Sequence, residues 1–395
     1  MSSSAAATQS EPRRRLVTVR RIDKITPIKN SRRNVLTVGG WNVVVRRAEN
    51  FYQHQLVVFF EIDSFLPNNS KFWEYVSSCP TTLQGGPPGF LVKTTMIDRN
   101  LSQGLVFHIS SFPEVIAELN KLECKYKGDE NAAVQELMSM SFEDVLGVKK
   151  WDYPEVTEGS LITGERSHPK PVFFPRAGCE RAQNLLYLFE DHYLHHFQIT
   201  EKLDGLSMSV YLVQESSQWY SGISYLPPGH TQRVGAAHIG IASRSKSIPA
   251  NEASTSWFWK TASQQGILNK IAEAGKNIAV QGELCGSSIL TNSMGFPEGE
   301  HHFYVFDIFD IDKQMYLPFH KARKMCRDFD WDYVPVIEHN VRLGEFAHDL
   351  EDLIRKADGL GMRGRKREGL VFKAVYRDYC FKVISNEWLM ETGHH

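Results

Sequence analysis

Between residues 16 and 67, short β-branched and aromatic runs alternate with turn residues: LVTVRRI (16–22), NVLTVGGWNVVVRR (34–47) and QLVVFFEIDSFLP (55–67). Runs of this length and composition predict a small antiparallel barrel or sandwich. GFLVKTTMI (89–97) and QGLVFHI (103–109) extend it, and PEVIAELNKLECKY (113–126) has the helical spacing expected of a closing helix. Residues 127–170 turn polar and carry Gly and Pro, the pattern of a linker leading into a second domain.

From about residue 180 helical and strand patterns alternate. NLLYLFEDHYL (184–194) reads as helix, and ITEKLDGLSMSVYLV (199–213) as strand, turn and strand. STSWFWKTASQQGILNKIAEAG (254–275) reads as helix, followed by strands NIAVQGELCG (277–286) and FYVFDIFDI (303–311). HKARKMCRDFD (320–330) and FAHDLEDLIRKADG (346–359) are helical, and REGLVFKAVY (367–376) and YCFKVIS (379–385) are closing strands. The fold class is α+β, with antiparallel sheets and helices around a cleft, preceded by a small all-β module. The expected boundaries are a disordered tail at 1–12, the β module at 13–126, a linker and entry segment at 127–170, and the catalytic domain at 171–395.

At 395 residues the chain is too long for one ordinary core, which fits two domains. With 42% apolar and 23% charged residues and no apolar run able to cross a bilayer, a membrane partner is not expected. A net charge of −1 supplies no global attraction to polyanions, but local charge is segregated. Basic residues dominate 12–47, and a second cluster comprises Arg363, Arg365, Lys366, Arg367, Lys373, Arg377 and Lys382. Two solvated faces would look the same, as would a track for a phosphate backbone. Arg46 and Arg47 are the expected contacts to nucleic acid. The six cysteines are dispersed without a CxxC pair, so neither a zinc site nor a disulfide framework is expected, and a reducing, intracellular setting (cytoplasmic or nuclear) follows. The Ser-, Ala- and Arg-rich first twenty residues read as a disordered tail, with a mitochondrial presequence as the alternative. The histidine pairs His195–His196 and His301–His302 are assigned structural roles, since neighbours on a strand point to opposite faces.

EKLDG (201–205) carries the chemistry. On an extended chain Lys202 and Asp204 project from one face, while Leu206, Met208, Val210 and Leu212 fasten the following strand into a core. By itself this is a solvated edge lysine or a nucleophile. Its company decides: KLDG (202–205), ASRS (242–245), GELCG (282–286), FYVFDI (303–308), EGLVFK (368–373) and FKVIS (381–385) follow in order. The set resembles the covalent nucleotidyltransferases, the superfamily of ATP-dependent ligases and mRNA capping enzymes, with an ATP-grasp-like ligase domain. FFPRAGCERAQNL (173–185), just upstream, is similar to RNA ligases, and residues 39–67 resemble the N-terminal OB-like module of family-five RNA ligases.

The resemblance implies that Lys202 takes AMP from ATP, passes it to a 5′-phosphate, and is released when a 3′-hydroxyl displaces AMP. It implies an RNA or RNA-containing nicked duplex as substrate and a monomeric enzyme. An attacking amine must be unprotonated, and burial with neighbouring cations lowers a lysine pKa; Lys373 and Lys382 are the expected cations and α-phosphate contacts. Mg²⁺ or Mn²⁺ is implied, with Glu368 at the metal and Asp204 in its outer shell. Also by resemblance, Arg244 contacts ribose or phosphate, Glu283 the ribose hydroxyl, and Phe306 the adenine face. Glu201 and Gly205 frame the nucleotide. A surface arginine, a salt-bridged glutamate and a core phenylalanine are the competing readings of Arg244, Glu283 and Phe306. Glu368 and Lys373 have opposite strand parity, so either Glu368 lies in the preceding turn or twist reorients it. Many members carry two lysines in the last motif; here the earlier position is Cys380. Only thirteen residues follow Lys382, which leaves no room for a later OB domain. The alternatives are a DNA ligase or capping guanylyltransferase using an OB domain in trans, or an inactive RNA-binding relative.

Overall fold

The computed structural model describes residues 14–82, 86–151, 168–250, 256–376 and 379–393. They form two compact units, one from the residues up to 151 with 183–186 and Gly393, the other from the remaining residues between 168 and 392.

The first unit is β-rich. Leu56–Glu61 is central to a three-stranded antiparallel sheet, flanked by Val17–Arg21 and Gly104–His108. Its unbroken VVFF run is explained by burial on both faces: Val58 and Phe60 pack with Val17, Val19, Phe72 and Phe112, while Val57 and Phe59 pack with Leu36, Trp41 and Val43. The second group comes from the meander Lys24–Pro27, Arg33–Val38 and Trp41–Arg46. The helix Pro113–Lys125 has Pro at its start, where no amide hydrogen is needed.

Residues 127–151 are not linker. The helix Glu130–Ser139 is capped by Asp129, and its Ala133 and Leu137 join Phe142, Leu146 and Val148 in the core with Val17 and Val58. Lys149–Lys150 then pairs with Ser64 and Phe65. The polar surface positions of this amphipathic segment masked its five buried apolar anchors. The rest of the expected linker, 152–167, lies outside the described residues, as do the expected tail and part of the basic segment before Arg14.

The second unit holds a five-stranded and a larger sheet. In the five-stranded sheet Cys380–Ile384, Gly369–Ala374, His196–Lys202 and Val336–Arg342 lie side by side, with Glu180–Arg181 added in parallel at the Cys380–Ile384 edge. In the larger sheet Leu206–Gln214 lies between Ala237–Ala242 and Ile278–Gly286, and His301–Asp310 pairs with the latter. Met208, Val210 and Leu212 pack into the core of this sheet as the alternation predicts.

Three expectations are corrected here. The 254–275 helix is two helices, Trp257–Gln264 and Ile267–Ala274, broken at Gly266 with φ +67°. Of the 184–194 helix only Leu188–His192 forms. Cys179 and Cys380 form a disulfide, because the parallel pairing of Glu180–Arg181 with Phe381–Lys382 places their Cα atoms 5.5 Å apart across 201 residues. The dispersed spacing concealed that contact, and the reducing compartment inferred from it loses its premise. Among the described residues no helix is long and apolar enough to cross a membrane.

Candidate active site

The His196–Lys202 strand ends at Lys202, and the chain crosses to the second sheet through Leu203, Asp204 and Gly205. Gly205 permits the crossing: a Cβ there would overlap the Leu284 carbonyl oxygen and crowd Glu283. The turn therefore presses against Ile278–Gly286 and carries Lys202 to Glu283. Glu283 pairs across the sheet with Ser207. Gly282 is required on the other side, where a side chain would strike the Tyr304 carbonyl.

Lys202 Nζ donates to Glu368 Oε2 at 2.6 Å. Glu368 lies immediately before the strand Gly369–Ala374, whose Gly369 pairs with Lys202. It thus sits in the preceding turn and Lys373 in the strand, which resolves their opposite parity. Burial pushes the Glu368 carboxyl upward despite Lys202. Burial lifts Glu283 to about 8, opposed by Lys202 and reinforced by Glu368 and Asp204. Glu283 accepts no hydrogen bond among the described residues, so its carboxylate oxygens are open to a ligand.

Lys202 departs from expectation. Burial disfavours its ammonium form, but Glu368, Glu283 and Asp204 outweigh burial and hold the amine above the ordinary lysine value. The lowered amine is Lys382. Burial, with Lys202 and then Arg181 adding like charge, draws it down to about 7. Arg181 pairs directly with Lys382 on the parallel edge strand, a neighbour that sequence reasoning missed, although the upstream ligase-like pattern contains it.

Lys373 is not a neighbour of Lys202. It pairs in register with Gln198, four residues back along the His196–Lys202 strand, and its Nζ bonds Asp307 at 2.7 Å and the Phe306 carbonyl at 2.5 Å. Phe306 is the extra residue of a β-bulge opposite Gln281 and Gly282, and it packs beside Leu203, Cys285, Phe296 and Tyr304. The bulge turns its ring toward the side of the sheet holding Lys373, whose Nζ lies 5.5 Å from the ring centroid.

Arg244 is exposed in the turn after Ala237–Ala242. Ser209 pairs with Ala242, so the turn carrying Arg244 leaves the sheet two residues beyond the partner of Ser209. Asp204 accepts from Ser293 Oγ, and Glu201 Oε2 accepts from the Met362 N–H at 2.9 Å. Glu201 is engaged in holding a loop rather than standing free. His301 stacks on Trp257 at 3.7 Å and His302 bonds Asp332 at 2.7 Å, both structural contacts.

A half-buried lysine among carboxylates, with a second lysine of lowered pKa, at the crossing between two antiparallel sheets defines a covalent nucleotidyltransferase domain. Residues 195–384 match the RNA ligase family model, and residues 16–109 match an OB-fold domain model described as PHA02142 OB-fold domain. The chain thus carries an RNA ligase domain with an OB-fold domain ahead of it. It is similar to Naegleria gruberi RNA ligase at 28% identity. A mutant of that enzyme with AMP and Mn has a TM-score of 0.73, covering 97% of this chain and 100% of the other. A mutant with ATP and Mn gives 0.72 over 96% and 100%, and the enzyme with PPi gives 0.71 over 97% and 100%. No curated protein matches the chain.

Proposed function

We propose that this protein is an ATP-dependent RNA ligase that joins a 3′-hydroxyl to a 5′-phosphate at nicks in RNA-containing duplexes, acting as a monomer, with Lys202 as its nucleophile. The single observation that carries the reading is the Lys202–Glu368 pair, set at 2.6 Å beside Glu283 and Lys382. Lys202 Nζ attacks the α-phosphorus of ATP; an N–P bond forms and the bond to pyrophosphate breaks. The 5′-phosphate oxygen of the RNA then displaces Lys202 to give a 5′-adenylylated end. The 3′-hydroxyl oxygen attacks that end and AMP leaves.

The chain's residues divide this work. Glu368 holds the Nζ proton in the free enzyme, and its own upward-shifted pKa suits it to accept that proton, which leaves two neutral groups in a buried place. Lys382, drawn to about 7, becomes fully charged when a phosphate arrives beside it and so responds to the α-phosphate. Glu283 meets the ribose hydroxyl, Arg244 the ribose or phosphate, and Phe306 the adenine, beside Glu201 and Gly205. Lys373, paired with Asp307 under Phe306, supports the base-binding side.

The oxygen donors fit a hard divalent cation, since Glu283 has unused oxygens near Glu368 and Asp204. Among the described residues no cluster of three His, Cys, Asp or Glu could hold a metal alone, so phosphate and water oxygens would complete the shell. Glu368 would hold Mg²⁺ or Mn²⁺ with Asp204 in the outer shell, and the ion, when bound, neutralises phosphate charge.

Incubation with α-labelled ATP and Mg²⁺ or Mn²⁺ should yield an alkali-stable protein–AMP adduct that is absent in Lys202→Ala. Nicks with RNA or DNA 3′ ends then identify the sealed strand. Labelling by GTP alone, or RNA binding with no label, would replace this reading by a capping enzyme or an inactive relative.

A further inference from the structure

The basic segment RGRKRE (363–368) precedes Glu368 in a tight turn, and its four cations are used unequally. Arg367 donates to the carbonyls of Lys356, Ala357 and Asp358 at the end of the helix Leu350–Ala357. Lys366 lies 3.5 Å from Glu387 and 3.4 Å from Glu391. Arg363 and Arg365 are exposed, and neither reaches a carboxylate among the described residues. Both line the cleft that holds Lys202.

Their placement is built from the nucleophile motif outward. Glu201, one residue before the nucleophile, fixes the turn by accepting from Met362 N–H at 2.9 Å. Asp204, two residues after the nucleophile, fixes the opposing loop through Ser293. The two loops then meet: the Arg363 guanidinium lies over the Phe296 ring at 4.1 Å, and Gly295 (φ +73°) leaves the space occupied by the Arg365 guanidinium. Two carboxylates flanking one lysine thus each hold a loop, and the loops present at the cleft mouth two cations that form no ion pair among the described residues. Unpaired guanidiniums in a fixed setting match the fork geometry of phosphate oxygens.

We infer that Arg363 and Arg365 form a phosphate-binding rim, which takes a terminal phosphate group as it enters or leaves the Lys202 cleft. This inference rests on Lys202 being the nucleophile. Two sources share that chemistry: the β,γ-phosphates of ATP and the 5′-phosphate of the RNA strand.

The test uses the full chain with Arg363→Gln/Arg365→Gln, and Arg363→Lys/Arg365→Lys as the charge-keeping control. Three rates are measured: lysyl-AMP formation against ATP concentration, AMP transfer from pre-adenylylated enzyme to a 5′-phosphorylated nick, and closure of a pre-adenylylated nick. The glutamine variant should raise the half-saturating concentration in the first or second arm by roughly tenfold or more, with partial recovery in the lysine variant. A first-arm defect assigns the rim to the triphosphate tail and a second-arm defect assigns it to the RNA phosphate. Unchanged rates in both arms overturn the inference, as does an equal loss in all three arms accompanied by a lower melting temperature. If the wild type forms no lysyl-AMP, the proposed function fails separately; calorimetric titration with inorganic pyrophosphate still tests the rim, and equal affinity of wild type and glutamine variant would reject it.

Discussion

Lys202 Nζ and Glu368 Oε2 lie 2.6 Å apart, joining the end of one strand to the residue that precedes the neighbouring strand. This contact favours the protonated form of Lys202, because the surrounding carboxylates outweigh burial there. Glu368→Gln should therefore lower the Lys202 pKa while nearly abolishing AMP transfer. Reductive ¹³C-methylation and NMR titration read the amine directly. An unchanged Lys202 titration in Glu368→Gln would show that the pair does not set the protonation state. A loss of at least about 100-fold in lysyl-AMP formation is expected from removing a charged group at the reacting centre.

Glu283 makes stability depend on pH. Its carboxyl is shifted from an ordinary value of 4.5 to about 8 in the folded protein, mainly by burial. Between those values the folded state holds a proton that the unfolded chain has released, so this group's contribution to stability declines as pH rises through the window. Lys382 acts in the opposite sense: drawn down to about 7, it is deprotonated in the folded state while the unfolded chain remains charged, so its contribution grows from pH 7 upward. Glu283→Gln should raise the melting temperature of the free protein at pH 8 relative to wild type, and the gain should shrink toward pH 5. A constant difference across that range would mean that Glu283 does not change protonation on folding.

The sheet alternation and the ordered motifs made the candidate site legible because each candidate residue type is tied to a strand end. KLDG, GELCG and EGLVFK all fall where a strand starts or stops, which places Lys202, Glu283 and Glu368 together. What was not legible depends on partners distant in sequence. The protonation of Lys202 follows from carboxylates 81 and 166 residues away, and burial alone gives the opposite sign. The ion pair of Lys373 with Asp307 is set by sheet-to-sheet packing and cannot be read from EGLVFK. The OB-fold module was recognisable from its strand runs, yet its closing helices at 130–146 were hidden because the polar face of an amphipathic helix resembles linker composition.

Cys179 and Cys380 flank the parallel pairing that sets Arg181 beside Lys382, so their disulfide constrains that edge of the sheet. Native alkylation without reductant should label Cys79 and Cys124, which are exposed, and spare Cys285 and Cys326, which are buried. Cys179 and Cys380 should label only after reduction. Cys380→Ser should lower stability by ~2–4 kcal/mol, within the usual range for a native disulfide closing a long loop. Labelling of Cys179 in the unreduced protein would exclude the bond in solution.

Arg46 and Arg47 were expected to act together on nucleic acid, and their surroundings separate them. Arg47 donates to the carbonyls of Ile28 and Arg33 and to the Asn34 side chain, which fastens the turn between two strands of the first meander. Arg46 is exposed, and among the described residues its ion-pair partner is Glu74 at 4.0 Å. The pairing is too long and too solvated to hold the guanidinium, so Arg46 remains available to a phosphate. Arg46→Ala should weaken RNA binding by several-fold and reduce the dependence of affinity on salt by about one counterion, while lysyl-AMP formation continues at the wild-type rate. Arg47→Ala should instead destabilise the protein by about 1 kcal/mol, as carbonyl contacts are lost, with a smaller change in salt dependence. Fluorescence anisotropy with a labelled nicked RNA duplex across a salt series, beside thermal denaturation, separates the two effects. An Arg46→Ala protein with the wild-type salt slope would remove the OB-fold surface from substrate binding at that residue.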